Sequence, residues 1–198
     1  MRRLFRTISA TVLCLLALTA RAQAPEPGQL LIASAALSDP NYSRTVLLLV
    51  HHAQDGSVAV ALNRPTWIAA EEAFPEVPGL DAYGEPLYFG GPIAPSQLLI
   101  VFESNRIMVE NVRQVLDDVY VAADPTILQS LDRESDSTQR VRFYAGHASW
   151  NPGQLEAEIA AGNWRLLPAD NAEVFDVNPE DLWERLPLGT DGVTAALR

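Results

Sequence analysis

The sequence predicts an α+β fold: a single domain in which a mostly antiparallel β-sheet carries short flanking helices. Three observations lead there. Short apolar and β-branched runs alternate with clusters of turn formers. Helix signals are brief, each bounded by a cap or a proline. No internal repeat, low-complexity tract or interdomain linker divides the chain. With 48% apolar and 20% charged residues, the composition is that of a folding domain rather than a disordered chain.

The first residues stand apart from that domain. Arg2, Arg3 and Arg6 precede an uncharged, mostly apolar run from Ile8 to Ala20. The run is too short to span a bilayer and reads as the core of a signal peptide over residues 1–22. Cleavage is expected after Ala22, because cutting after Ala24 would leave Pro25 directly beyond the scissile bond. The mature domain, residues 23–198, is then periplasmic or secreted and keeps no membrane anchor. A start-site artefact ahead of a cytoplasmic protein is the alternative. Cys14 is the only cysteine and leaves with the leader, so the mature chain holds its fold without disulfides.

Within the domain, Leu30 to Ala33 is a short strand ended by the turn formers Ser38-Asp39-Pro40-Asn41. Thr45 to Val50 is continuous and apolar, as suits a strand buried on both faces. Gln54-Asp55-Gly56 turns it into an antiparallel partner, Ser57 to Leu62, which halts at Asn63-Arg64-Pro65. Residues 66–86 contain Pro75, Pro78 and Pro86 and read as a surface excursion, with two helical turns at most near Ile68 to Phe74. Leu87-Tyr88-Phe89 leads into Gly90-Gly91-Pro92, and Gln97 to Phe102 is expected to pair with Arg106 to Val109. Asp124 and Pro125 open a helix whose Ile127, Leu128 and Leu131 face a core.

Arg140 to Ala145 reads as a strand ended by Gly146. The clearest helix signal follows, with Asn151 as N-cap, Pro152 in the first turn, Gln154 at the capping-box position and Gly162 as the stop. Leu155 and Ile159 share its inner face, and Trp150 and Trp164 flank it with enough apolar area to pin it to the sheet. Asp170 with Glu173, and Asn178 with Pro179, signal two more short helices before a frayed tail over residues 188–198.

Every positive charge is an arginine. Four of the 14 lie in the leader and none of the 25 acids do, so cleavage moves the net charge from −11 to −15. A chain this acidic is repelled by phosphate backbones unless its arginines cluster, and they are scattered, so no nucleic-acid partner is expected.

Catalytic signals are sparse. His51 and His52 are adjacent on a strand and point to opposite faces, so they do not hold one metal together. His147 lacks any HExxH, CxxC or His-x-His companion, and no metal or cofactor is expected. Nucleophile elbows and phosphate loops are missing, and Ser149 with His147 and Glu156 is close in sequence without being a triad, so no catalytic residue is assigned. Gly90-Gly91-Pro92 reads first as a tight turn and second as a run of amide N–H groups open to an anion.

In their order along the chain these segments resemble the YqgE/AlgH family of bacterial proteins. The resemblance rests on Gly28-Gln29-Leu30-Leu31-Ile32-Ala33, Asp39-Pro40, Tyr42 to Val46, Leu62-Asn63-Arg64-Pro65 and Phe89-Gly90-Gly91-Pro92. Gly146-His147-Ala148-Ser149-Trp150, then Gly153 to Glu156, Glu158-Ile159 and Trp164, complete it. It implies an α+β fold and a regulatory association with exopolysaccharide (alginate) production, with no established cofactor or catalytic residue. Ala35 stands where the family usually has proline, and Val58-Ala59-Val60-Ala61 replaces a glycine-bearing stretch. Relatives are generally cytosolic, so the leader is a further departure.

The expected function is that of an exported binding or regulatory protein with a protein or small-molecule partner. Its candidate cleft gathers Asn63, Arg64, Gly90, Gly91, His147 and Gln154. A hydrolase-like or other enzyme using a polar cleft near Gly90-Gly91 and His147 is the alternative, and a transcriptional regulator is the weaker one. The leader generates the first testable expectation: mass spectrometry of the native protein should find a mature N-terminus at or near Gln23 in an extracytoplasmic fraction. An intact Met1 on a cytoplasmic protein would refute it.

Overall fold

The computed structural model describes residues 24–105, 111–131 and 140–186. The leader, the expected strand at 106–109 and the tail at 188–198 lie outside the described residues.

The chain forms a mostly antiparallel, curled β-sheet with a few short helices, an α+β domain. Its spine is a meander of β1 (Gln29–Ala33), β2 (Val46–Ala53) and β3 (Gly56–Ala61), with Leu31 opposite Leu47 and Leu47 opposite Ala61. The residues that make these strands are aliphatic and β-branched, and β1 and the first five residues of β2 are buried throughout. Further along come β4 (Pro65–Ala69), β5 (Pro86–Phe89), β6 (Ile93–Glu103), β7 (Val112–Leu116), β8 (Val119–Ala122), β9 (Val141–Trp150) and β10 (Trp164–Pro168). The sheet runs β10-β1-β2-β3-β9-β6-β8-β7, and β4 joins through β5, which pairs in parallel with β9. Curling brings the far strand back: Arg113 on β7 hydrogen-bonds His51 on β2.

Helices cover the faces that the curl leaves apolar. Helix α2 (Gln154–Ala160) seals one face, where Leu155, Trp150 and Trp164 pack with Leu31, Leu47, Leu49 and Ala61. Both indoles donate to one carboxylate oxygen, Glu158 Oε2, from Trp150 Nε1 at 3.0 Å and Trp164 Nε1 at 2.7 Å. Helices α3 (Asn171–Phe175) and α4 (Pro179–Arg185) close the opposite face, placing Val174, Leu182 and Trp183 against Leu30, Ile32, Val46 and Leu48. A third cluster gathers Phe74, Leu80, Leu87, Ile100, Phe102 and Phe143 with Ile127 and Leu128.

Several local expectations hold in detail. Asp170 and Glu173 form a complete capping box, and Asn178 caps α4 with Pro179 in its first turn. Others are corrected. Ile68 belongs to β4, and helix α1 (Ala70–Ala73) is a single turn; the segment is no mere excursion, because Ala70, Phe74 and Leu80 are buried in the third cluster. The helix after Asp124 is a 3-10 turn, Pro125–Gln129, that still buries Ile127 and Leu128. Strand β9 passes through Gly146 instead of ending there. Helix α2 starts later than expected, with left-handed Gly153 as its N-cap, while the Gln154 side chain reaches back to accept from Asn151 N at 3.1 Å. Strands β7 and β8 were not expected from the sequence: Arg113 and Gln114 interrupt the apolar pattern of β7, and β8 is a run of only four residues, Val119–Ala122.

Because Leu155 is fully buried between two indoles and the sheet, Leu155→Ala should destabilise the domain by about 2–5 kcal/mol. Thermal or denaturant melts read this directly, and a loss below about 1 kcal/mol would show that α2 is not held by its apolar face.

Candidate functional site

Motif residues from distant parts of the sequence meet where Gly90-Gly91 crosses over Gly146-His147. Gly90 N donates to Ala145 O and Gly90 O accepts from Ala61 N, each at 2.9 Å, so this residue links β9 to the end of β3. There is no room for side chains. A Cβ on Gly90 would stand 2.2 Å from Gly146 O, and one on Gly91 would stand 2.2 Å from His147 C. Gly146 itself adopts φ +68°, a left-handed conformation, and a Cβ there would meet Gly91 O at 2.6 Å and Ile93 O at 2.7 Å. Thus the glycines are needed for backbone approach, and the tight-turn reading of Gly90-Gly91 is extended to a three-strand junction.

His147 lies directly opposite Ile93 in the β6–β9 pair, so the two side chains share a face. Ile93 is 45% exposed. The imidazole is half-buried, and its Nδ1 is shielded from solvent with no hydrogen-bond partner. Burial holds the His147 pKa below its ordinary value, which keeps the ring neutral at neutral pH.

The remaining cleft residues are placed as follows. Asn63 Oδ1 accepts from Val46 N at 2.9 Å and its Nδ2 donates to Arg44 O at 2.8 Å, completing the ladder where β3 ends. Arg64 donates from Nη2 to Ser43 O at 2.7 Å and to Thr45 Oγ1 at 2.8 Å. Both side chains therefore pin the turn before β2, while the backbone of Arg64 reaches the junction through Phe89 N, which donates to Arg64 O at 2.8 Å. Gln154 is occupied on α2, with Nε2 donating to Glu158 Oε1 at 3.0 Å. Gly90, Gly91 and His147 are brought together; Arg64 adjoins them through its backbone carbonyl, the Asn63 side chain is spent on Val46 N and Arg44 O, and the Gln154 side chain serves its helix.

The other two histidines point to opposite faces as expected. His51 Nε2 lies 2.8 Å from Asp55 Oδ1 and its Nδ1 meets Arg113, and these contacts hold the Asp55 carboxyl below its usual range. His52 Nδ1 lies 2.8 Å from Ser57 Oγ, and its Nε2 is 3.6 Å from Glu156 Oε1. Glu156 thus approaches His52 and not His147 with Ser149. Because Ser57 is buried in the β2–β3–β9 ladder, this contact ties strands together rather than presenting a nucleophile. Trp67 and Ile68 on β4 are exposed beyond anything the sequence suggested, Trp67 completely. A separate open groove of about 920 Å³ runs between Gln114–Asp117 and Ala169–Ala172.

Comparison with known proteins gives this arrangement a family. A family profile described as AlgH-like matches residues 30–190. The chain belongs to the AlgH-like family. The UPF0301 protein CT0663 of Chlorobaculum tepidum is 35% identical over 161 residues, covering 81% of this chain and 84% of that protein. The UPF0301 protein Mmc1_0726 of Magnetococcus marinus is 32% identical, with coverages of 79% and 84%. Among solved structures, protein DIP2367 of Corynebacterium diphtheriae superposes with a TM-score of 0.67 at 27% identity, covering 84% of this chain and 91% of that one. The AlgH protein of Pseudomonas aeruginosa, solved in solution, gives 0.65 at 26%, with coverages of 80% and 86%. The AlgH-like chain thus shares its overall fold with these two structures.

His147 generates a pH prediction with a definite sign. Its folded pKa is depressed, so the unfolded ring takes up a proton first as pH falls below about 6.5. The group leaves stability unaffected above that pH and erodes it below, until the folded ring is protonated too. The fall in melting temperature between about pH 7 and 5 should therefore be smaller in His147→Ala than in wild type, with equal falls counting against burial as the cause.

Proposed function

We propose that this AlgH-like chain acts outside the cytoplasm as a binding protein, regulatory in effect, that recognises a small-molecule or protein partner at the His147–Ile93 face of the glycine junction. The observation that carries the reading is the His147 Nδ1, a shielded ring nitrogen without a partner, beside the exposed apolar side chain of Ile93. A neutral imidazole offers one donor and one acceptor, and because the ring is only half-buried its exposed part is open to a partner's complementary group. An apolar contact next to a polar anchor is the usual composition of a recognition site. The junction backbone is rigidly hydrogen-bonded, so the ring is presented in a fixed position. The leader supports the extracytoplasmic setting.

The charge pattern disfavours a direct role on DNA. Five arginines are engaged within the fold: Arg44 with Glu184, Arg64 with Ser43 and Thr45, Arg113 with His51, Arg140 with Glu103 and Asp176, and Arg142 with Phe175 O. Neutralising phosphates would require releasing them from these partners. A titration at physiological salt should accordingly show duplex DNA binding no stronger than that of an acidic control protein.

The binding reading is tested by a small-molecule thermal-shift screen on wild type and His147→Ala. The expected result is a compound that raises the wild-type melting temperature and has no effect on the variant, measured at neutral pH, where the two proteins should melt alike. If every stabilising compound acts equally on both, the site is not at His147.

A further inference from the structure

Among the tryptophans of the described residues, Trp150, Trp164 and Trp183 are buried and each donates its indole N–H within the fold. Trp67 is the contrary case, an indole standing fully in solvent on β4. Ile68, the next residue on that strand, is 46% exposed, so neither face of β4 is covered there. An indole in water forgoes one of the largest apolar burials a side chain offers, and tryptophan is the side chain most enriched at the centres of protein interfaces.

The topology leaves this strand accessible. Strand β4 joins the sheet only through β5, with no strand on its other side among the described residues. Because β5 lies on the edge of β9 opposite to β6, the surface is distinct from the His147–Ile93 face. The edge is blunted against addition of a further strand. Its pairing with β5 slips between Pro65 and Ala69, Pro65 has no N–H, and Ile68 N is taken by Thr66 Oγ1 at 3.2 Å, which itself donates to Leu87 O at 2.8 Å. Recognition here therefore runs through side chains and not through the backbone ladder.

The charge around Trp67 has one sign. Residues 66–86 contain Glu71, Glu72, Glu76, Asp81 and Glu85 and no arginine. Glu71 and Glu72 stand on α1, the turn directly after β4, and Glu85 precedes Pro86, which pairs with Ala69 at the end of β4. None of the ion pairs among the described residues includes any of the five. The arginine nearest in sequence, Arg64, is spent on Ser43 O and Thr45 Oγ1. An indole face attracts cations, and the aliphatic stem of arginine or lysine lies along apolar surface while its charged head reaches a carboxylate. A second copy of the chain fits poorly, since a two-fold pairing through this surface would set the carboxylates against their own kind. An anionic lipid surface is repelled for the same reason.

We propose that Trp67 anchors a docking surface on β4 and α1 for a basic protein segment, which lays arginine or lysine stems across the indole and directs their heads to Glu71, Glu72 and Glu85.

The test uses the full mature chain and, as probe, a short capped and fluorescently labelled peptide that alternates arginine and leucine, with binding read by anisotropy. Wild type is compared with Trp67→Ala, with the double variant Glu71→Gln/Glu72→Gln, and with Glu180→Gln/Asp181→Asn, which removes the same charge from α4. Trp67 belongs to none of the described core clusters, so Trp67→Ala should melt with wild type. Wild type and the α4 variant should bind the peptide alike, and Trp67→Ala about tenfold more weakly. The Glu71→Gln/Glu72→Gln variant should lose several-fold in affinity, by a margin that shrinks as salt is raised. The proposal is overturned if wild type does not bind, if Trp67→Ala binds equally, or if both double variants lose the same affinity. It is also overturned if a glutamate-leucine peptide binds as tightly as the basic one. Capture by phosphatidylcholine vesicles, or a dimer that the peptide does not displace, would overturn it too if either were lost in Trp67→Ala.

Discussion

Strand β9 accepts two different neighbours on one edge, β5 in parallel over Phe143–Ala145 and β3 antiparallel over Ala148–Trp150, with Gly146 between them. Its other edge belongs to β6 along nearly the whole length. Such a change of partner needs a local twist that moves the chain from one neighbour to the next without opening the ladder. The left-handed backbone of Gly146 supplies it. Gly90 fills the gap, bonding both Ala145 and Ala61. The β1–β2–β3 meander and the β6–β8–β7 group are therefore parts of one sheet only because three glycines allow their backbones to touch. A side chain at any of these positions would collide with main-chain atoms, which cannot swing aside as a flexible side chain can.

Around this junction several polar groups are paired by side chains from other elements. Glu158 is the clearest case, since one carboxylate oxygen receives both indole N–H groups and so allows two tryptophans to bury their rings under α2 without stranding a donor. Glu103 plays a comparable part at the other end of β6, receiving Arg140 and Asn171, and the arginine keeps its carboxyl below the usual range. Asn63 substitutes for backbone at the point where β3 runs out. These side chains are polar because the sheet changes direction there and leaves peptide groups that need partners.

What could be read from the sequence follows the same logic. The aliphatic strands β1, β2 and β3 and the Asp170–Glu173 and Asn178–Pro179 caps were legible, because a continuous apolar run or a capping box is a local signal that packing does not override. Strand β9 was cut short at Gly146 because glycine inside a strand reads as a stop, and its role in switching partners is set by β3 and β5, far away in sequence. Asn63, Arg64 and Gln154 looked like cleft residues for a related reason: polar residues beside turn motifs resemble a site until their hydrogen bonds are known. His147 and the two glycines were legible as a group only through family resemblance, since no spacing rule joins residue 90 to residue 147. Trp67 gave no signal at all. A tryptophan beside a turn is ordinary until its full exposure is seen.

The division between satisfied and unsatisfied groups also bears on function. An enzyme is marked by polar groups that converge and activate one another, and here the groups that converge, His52 with Ser57 and Glu156, hold together two strands and a helix around a buried hydroxyl. A binding protein is marked by polar groups held rigidly with an open valence, and by apolar surface left uncovered. His147 has the first property, while Ile93, Trp67 and Ile68 have the second. Unfilled valences on rigid strands are places where a partner's group can complete a hydrogen bond. That contrast is the ground on which we propose recognition rather than catalysis for this member of the AlgH-like family.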